Sequence, residues 1–143
     1  KYLKTLITSM KLEMLFLPPP TMIEMLTEFL QGSVLQKLIC TQSATTSSYF
    51  KPLLNFMRRV ETKMFTIEME FNKGTINSIL QVANVTPWIN IMSSTDVPIP
   101  LIQAILKTKC NILSLSSTIL TNAEIERVIK FCHTLDKKVS LTV

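Results

Sequence analysis

Leu113-Ser114-Leu115-Ser116-Ser117-Thr118-Ile119-Leu120-Thr121 is the stretch whose reading decides the fold. Leu113 and Leu115 alternate with serines as a half-buried strand does, and a polar turn runs on to Thr121. The segment that follows carries Ile125, Val128, Ile129 and Cys132 on one face of a helix. Thr121 and Glu124 stand three residues apart, the spacing at which each side chain bonds the other's backbone N–H in a capping box. Working outward, the same apolar strand core recurs at Leu15/Leu17, Leu38/Cys40, Phe65/Ile67, Ile89/Ile91, Leu113/Leu115 and Val139/Leu141. Successive first members lie 23, 27, 24, 24 and 26 residues apart. A crossover unit of an open α/β sheet takes roughly 30 residues or more, so these units are short for one. They instead stack strand beside strand, about 4.8 Å apart, with helices outside. The expected fold is therefore an α/β solenoid, with parallel strands on a concave face and helices on a convex one.

The remaining units fill in around this frame. Leu3, Leu6, Ile7 and Met10 follow the helical period, and Leu12 to Leu17 reads as a strand. Pro18, Pro19 and Pro20 forbid both helix continuation and central-strand pairing. Thr21 and Glu24 form a second candidate capping box, before a stripe of Ile23, Leu26, Phe29 and Leu30, with Gly32 as its stop. In the second unit, a Ser/Thr-rich turn from Thr41 to Ser48 leads to a helix reaching about Val60, with Leu53, Leu54 and Met57 inward and Pro52 in its first turn. Phe65 to Glu70 alternates strictly and demands a strand; Asn72 to Thr75 is its turn, and Ile76, Ile79, Leu80 and Ala83 line a helix. The fourth unit turns through Pro98 and Pro100 into a helix bearing Leu101, Ile105 and Leu106.

Composition limits the function classes. The 143 residues are 47% hydrophobic and 17% charged, richer in apolar residues than an average soluble domain, as expected when strands and helix faces are both buried. No apolar run approaches the roughly 18 residues of a membrane span. Lys1-Tyr2-Leu3-Lys4 shows neither an initiator methionine nor a signal pattern, so residues 1–143 read as a single segment of about five units, excerpted from a longer repeat domain. Three cysteines make no disulfide framework, and Cys40 and Cys132 fall at apolar positions, which favours a reducing, intracellular compartment, cytoplasmic or nuclear. The net charge of +5 is dispersed: Arg58, Arg59, Lys107, Lys109, Lys130, Lys137 and Lys138 fall at or just past expected helix ends, where cations offset the helix dipole. No basic run alternates with aromatic residues, so nucleic acid is not the expected partner.

The unit resembles the leucine-rich repeat, L-x-x-L-x-L-x-x-N/C-x-L over about 20 to 29 residues. Leu12, Leu15 and Leu17 take the first three positions and Met22 the last; Leu35, Leu38 and Cys40 repeat the arrangement. Leu113 to Ile125 is especially similar to the long, helix-containing repeats of ribonuclease-inhibitor-like proteins and F-box leucine-rich-repeat adapters. The chain departs from the family at the asparagine position, where it has Pro20, Ser43, Glu70, Ser94 and Thr118. It carries no F-box helix cluster. The resemblance implies a curved leucine-rich-repeat solenoid that recognises a protein through its concave strand face, as the recognition part of a larger adapter or receptor.

In that register the residues between the core pairs face away from the helices: Met14, Phe16, Lys37, Ile39, Thr66, Glu68, Trp88, Asn90, Met92, Ile112, Ser114 and Ser116. Met14, Phe16, Ile39, Trp88, Met92 and Ile112 have no core to fill there and are the candidate protein-binding residues. No catalytic residue, cofactor or metal is expected. Adjacent side chains on a helix diverge by about 100°, so Cys132 and His133 do not form a dyad. Cys40, Cys110, Cys132 and His133 lack the paired spacing of a zinc site. Lys73-Gly74-Thr75 lacks the earlier glycine of a phosphate loop, Glu68 and Glu70 lack a second acidic strand, and Asn84-Val85-Thr86 is a formal glycosylation sequon only. Two other readings stay open. A small α/β enzyme would place a pocket near Asn72, Ser94, Thr95, Asp96 and Thr118, and a basic RNA-binding scaffold would show steeply salt-dependent binding. Uncapped ends call for flanking repeats or end-to-end self-association.

Overall fold

Six strands and five helices form the described part of a computed structural model, which covers residues 14–16, 18–41, 47–70, 73–93, 97–116 and 120–142. In chain order they are β1 (Met14–Phe16), α1 (Pro20–Leu30), β2 (Val34–Thr41), α2 (Ser47–Arg59), β3 (Glu61–Glu68), α3 (Lys73–Ala83), β4 (Trp88–Met92), α4 (Ile99–Leu106), β5 (Ile112–Ser116), α5 (Asn122–Leu135) and β6 (Lys138–Thr142). The strands make one parallel sheet in the order of the chain, β1 to β6. The expected helix over residues 1–11, the strand ends Leu12 and Leu17, and Ser43, Ser94 and Thr118 lie outside the described residues. None of the described helices is long and apolar enough to cross a membrane.

The strand register follows the recurring apolar pairs. Leu15, Leu38, Phe65, Ile89, Leu113 and Val139 lie opposite one another from strand to strand, and Cys40, Ile67, Ile91, Leu115 and Leu141 form the next row. Their buried members pack in one core with Ile23 and Leu30 of α1, Leu53 and Phe56 of α2, Ile79 and Val82 of α3, Ile102 and Ile105 of α4, and Val128 and Cys132 of α5. The described helices thus cover one face of the sheet and leave the other open. This one-sided cover, with neighbouring strands joined in sequence, is what a short unit permits.

A third row, of which the sequence showed only Leu35 among the described residues, completes the core. Three residues before each strand core stand Leu35, Thr62, Thr86 and Cys110, all buried. A hydroxyl buried without a partner costs about 1–3 kcal/mol, and here backbone carbonyls of the same or the preceding unit supply acceptors. Thr62 Oγ1 donates to the Val60 carbonyl at 3.3 Å, and Thr86 Oγ1 to the Thr62 carbonyl at 3.2 Å. Cys110 Sγ donates to the Ile112 carbonyl at 3.1 Å. Backbone bonds between the turns preceding the strands continue the tie: Glu61 N–H to Ser33, Asn111 N–H to Pro87, and Lys138 N–H to Asn111.

Helix ends separate the two expected capping boxes. At α5, Thr121 Oγ1 accepts from Glu124 N–H at 3.2 Å, and Glu124 Oε1 accepts from Thr121 N–H at 3.1 Å. At α1 the box is absent, because the helix starts earlier: Pro19 is the cap residue, Pro20 opens the helix, and Thr21 lies inside it. Proline fits this position because its fixed φ and missing N–H suit a first turn whose donors have no helical acceptor. Gly32 does end α1, at φ 84°, a left-handed conformation that glycine adopts without strain. Three further expectations need correction. Pro52 lies well inside α2, which starts at Ser47 rather than just before the proline. Glu70 lies beyond β3, which ends at Glu68. Ile129 is 43% exposed, since no described element packs beyond α5.

Candidate functional site

The open face of the sheet is built by the residues that alternate with the core rows. One row runs Met14, Lys37, Met64, with Trp88, Ile112 and Lys138 continuing it across β4, β5 and β6. Met64 precedes Phe65 as Trp88 precedes Ile89, so the two stand side by side. The next row is Phe16, Ile39, Thr66, Asn90, Ser114 and Ser140. A third places Thr41, Glu68 and Met92 in line.

These rows distribute the candidate residues unevenly. Phe16 is 64% and Met14 50% exposed, at the β1 edge, with Ile39 opposite Phe16 and half-buried. Trp88 and Ile112 lie opposite each other on β4 and β5 and are also half-buried. Met92 sits in another row beside Glu68. The six residues therefore form two apolar groups and an outlier. Met64, which the alternation of β3 could have revealed had its strand been extended back to Glu61, stands in the row between Lys37 and Trp88.

Two polar details shape this face. Trp88 Nε1 donates to Ser114 Oγ at 3.0 Å, which pins the indole toward β5. Thr66 is only 3% exposed, and its Oγ1 is buried without a hydrogen-bond partner among the described residues. Thr66, expected to face away from the helices and so to lie exposed, is instead buried in the middle of the sheet. Lys37, Asn90 and Ser114 are half-buried, Glu68 is exposed, and the side chain of Ser116 is outside the described set.

The chemically reactive groups do not converge. Cys40, Cys110 and Cys132 are unpaired and buried, while His133 is exposed beside Cys132. Burial pushes the Cys40 thiol up to about 12 and raises those of Cys110 and Cys132 from their ordinary value. No group of three or more His, Cys, Asp or Glu side chains among the described residues could hold a metal ion. Lys73-Gly74-Thr75 forms the first turn of α3. The Thr86 hydroxyl of the sequon is committed to the Thr62 carbonyl. Asn72, Ser94, Thr95, Asp96 and Thr118, which a pocket at the strand C-terminal ends would use, lie outside the described residues.

The cations take several roles. Arg58 and Arg59 occupy the last turn of α2, and Lys107 caps α4, as charge complementarity to the helix C-terminus requires. Lys130 lies within α5 instead of at its end. Lys137 serves the preceding unit: its Nζ donates to the carbonyls of Thr108 and Cys110 and to Asn111 Oδ1, at 3.1, 3.2 and 3.0 Å. Comparison of the chain with protein-family models, with curated proteins and with solved structures finds no match, so the functional reading rests on this geometry.

Proposed function

We propose that the chain is a non-catalytic protein-recognition module, a curved leucine-rich-repeat solenoid that takes a protein partner on the open, concave face of its sheet. Sequential parallel strands, core rows in register and helices gathered on one side support the repeat reading. The observation that carries the binding function is the exposed apolar edge at Phe16 and Met14, continued by Ile39, Met64, Trp88 and Ile112 on a face that no described helix covers. Contiguous apolar surface of this composition is where binding energy concentrates. A sheet held from behind and an indole held by Ser114 lose little freedom on binding, which limits the entropic cost of association. The module would form the recognition part of a larger adapter or receptor. Three unpaired, buried thiols support an intracellular setting.

The test is crosslinking capture from a cell lysate with three versions of the chain. These are the wild type, a Trp88→Ala/Phe16→Ala pair on the open face, and a Met22→Ala/Met25→Ala pair on the exposed side of α1, with folding of each checked by circular dichroism. Partners lost with the first pair and kept with the second support the reading. Partners kept with the first and lost with the second would move recognition to the helices and overturn it.

A further inference from the structure

Helices finish and strands begin at one end of the sheet, and the cations gather there. Arg58, Arg59, Lys63, Lys107, Lys109, Lys137 and Lys138 belong to this end, with Glu61 and Asp136 as its described carboxylates. Some of these cations are engaged. Lys63 pairs with Glu61 at 2.9 Å, Lys107 Nζ lies 5.7 Å from the centre of the Phe131 ring, and Lys137 donates to its three oxygens. Arg58 and Lys109 have no ion pair or side-chain hydrogen bond among the described residues.

Both of these free cations line the same cleft of about 380 Å³. They reach it from different units: Arg58 from the end of α2 and Lys109 from the turn before β5. Between them, Asn84, Val85 and Pro87 come from the turn after α3, and Met57 from α2. No carboxylate among the described residues lines the cleft, so its two positive groups repel one another, and an anion placed between them converts that repulsion into attraction. A guanidinium offers a planar fork that matches phosphate oxygens, and an ammonium adds a point charge. Met57, Val85 and Pro87 offer apolar contact to an organic arm. No aromatic residue among the described residues lines the cleft, so a nucleic-acid base finds no described ring to stack on. The neighbouring cleft between α1 and α2, about 510 Å³, also includes Arg58, but there Glu24 and Glu28 accompany Lys51 and Arg59 and compensate the charge.

We propose that the Arg58–Lys109 cleft binds a phosphate monoester, whose dianion matches the two free cations. The site is separate from the open sheet face and does not depend on it. The monoester can come from a phosphorylated side chain of a protein or from a small phosphorylated molecule, and both share the chemistry the cleft recognises.

The test uses the full chain, labelled with ¹⁵N, titrated at low salt and followed by amide shifts. The probes are a neutral pentapeptide with a central phosphoserine, its unphosphorylated form, glycerol 3-phosphate and a short single-stranded oligonucleotide. The phosphopeptide and glycerol 3-phosphate should move the amides of Asn84, Val85 and Lys109, and the unphosphorylated peptide should not. Arg58→Gln and Lys109→Gln should each weaken binding about fivefold to tenfold, while Lys130→Gln, the same charge change on α5, leaves it within twofold. Affinity should fall as pH drops through about 6, where a monoester takes up its second proton. Tighter binding of the phosphopeptide than of glycerol 3-phosphate assigns the source to a protein, and the reverse to a small molecule. Equal losses in all three variants, or an oligonucleotide that binds more tightly at the same amides without the step near pH 6, would overturn the proposal. So would the absence of any shift at those amides at millimolar phosphopeptide.

Discussion

The two faces of this sheet are written by alternate residues of the same strands, yet they follow different rules. On the helix-covered face, Leu38, Phe65, Ile89 and Leu113 lie in register and are at most 1% exposed. On the open face, neighbours in one row range from Phe16 at 64% exposed to Thr66 at 3%. Folding dictates the first pattern, because every apolar side chain there must meet a helix. It leaves the second free, and the proposed recognition role is what would account for apolar residues on it. The lesson is that a strand's inward positions fix its register, while its outward positions are free to vary from strand to strand.

The sharpest way to break this contrast is to truncate one residue on each face. Ile67→Ala removes a fully buried side chain from the core row and should cost about 2–5 kcal/mol in urea denaturation. Phe16→Ala on the open edge should change stability by less than about 0.5 kcal/mol. Comparable losses at both positions would show that Phe16 belongs to a core. A second effect follows from the covered face being dry. The folded Cys40 thiol titrates near 12, against an ordinary value of 9.0. A raised folded pKa stabilises fully below the unfolded value and is lost as pH climbs toward the folded one. Stability should therefore decline between about pH 9 and pH 12, and the decline should be shallower in Cys40→Ala, measured by denaturation at stepped pH.

Helix ends sharpen the comparison at smaller amplitude. Thr121→Ala dismantles a capping box formed in both directions and should cost about 1 kcal/mol. Thr21→Ala should change almost nothing, since Thr21 lies inside α1 and makes no capping bond. A loss at Thr21 equal to that at Thr121 would mean that α1 starts where the Thr21/Glu24 spacing first placed it. Smallest of all, Thr66→Val replaces a buried hydroxyl that has no partner with a methyl of similar size. Stability should be unchanged or up to about 1 kcal/mol higher, and a loss above that would reveal a hydrogen bond to the hydroxyl.

Much of this architecture was legible in the sequence because it rests on apolar periodicity. Leu15, Leu38, Phe65, Ile89, Leu113 and Val139, the first members of the recurring pairs, do fall opposite one another, while the third unit, whose alternation also fits a shift of two residues, took its register only from the pairing of β3 with its neighbours. Thr62, Thr86 and Cys110 escaped the same reading. Thr62 and Thr86 satisfy their hydroxyls on backbone carbonyls, Thr62 just before its own strand and Thr86 on the preceding unit, so they carry no hydrophobic signal, and Cys110 precedes its strand without an apolar neighbour to mark it. Thr21 misled because a capping spacing says nothing of a proline two residues upstream that already opens the helix. Ile129 misled because a helical stripe shows which residues could be buried, and whether a neighbour arrives to bury them is a tertiary matter. On the open face, alternation named the side chains that share it, but Met64 and the enclosure of Thr66 emerged only from the extension of β3 and the packing of its neighbours.

The most direct test of recognition by the open face is hydroxyl-radical footprinting of the chain, free and bound to a captured partner. Methionine and tryptophan report each side of the molecule: Met14, Met64, Trp88 and Met92 lie on the open face, and Met22 and Met25 on the exposed side of α1. The account predicts that binding slows oxidation of Met14, Trp88 and Met92 several-fold and leaves Met22 and Met25 unchanged. Protection of Met22 and Met25, with Trp88 and Met14 oxidised as fast as in the free chain, would contradict it.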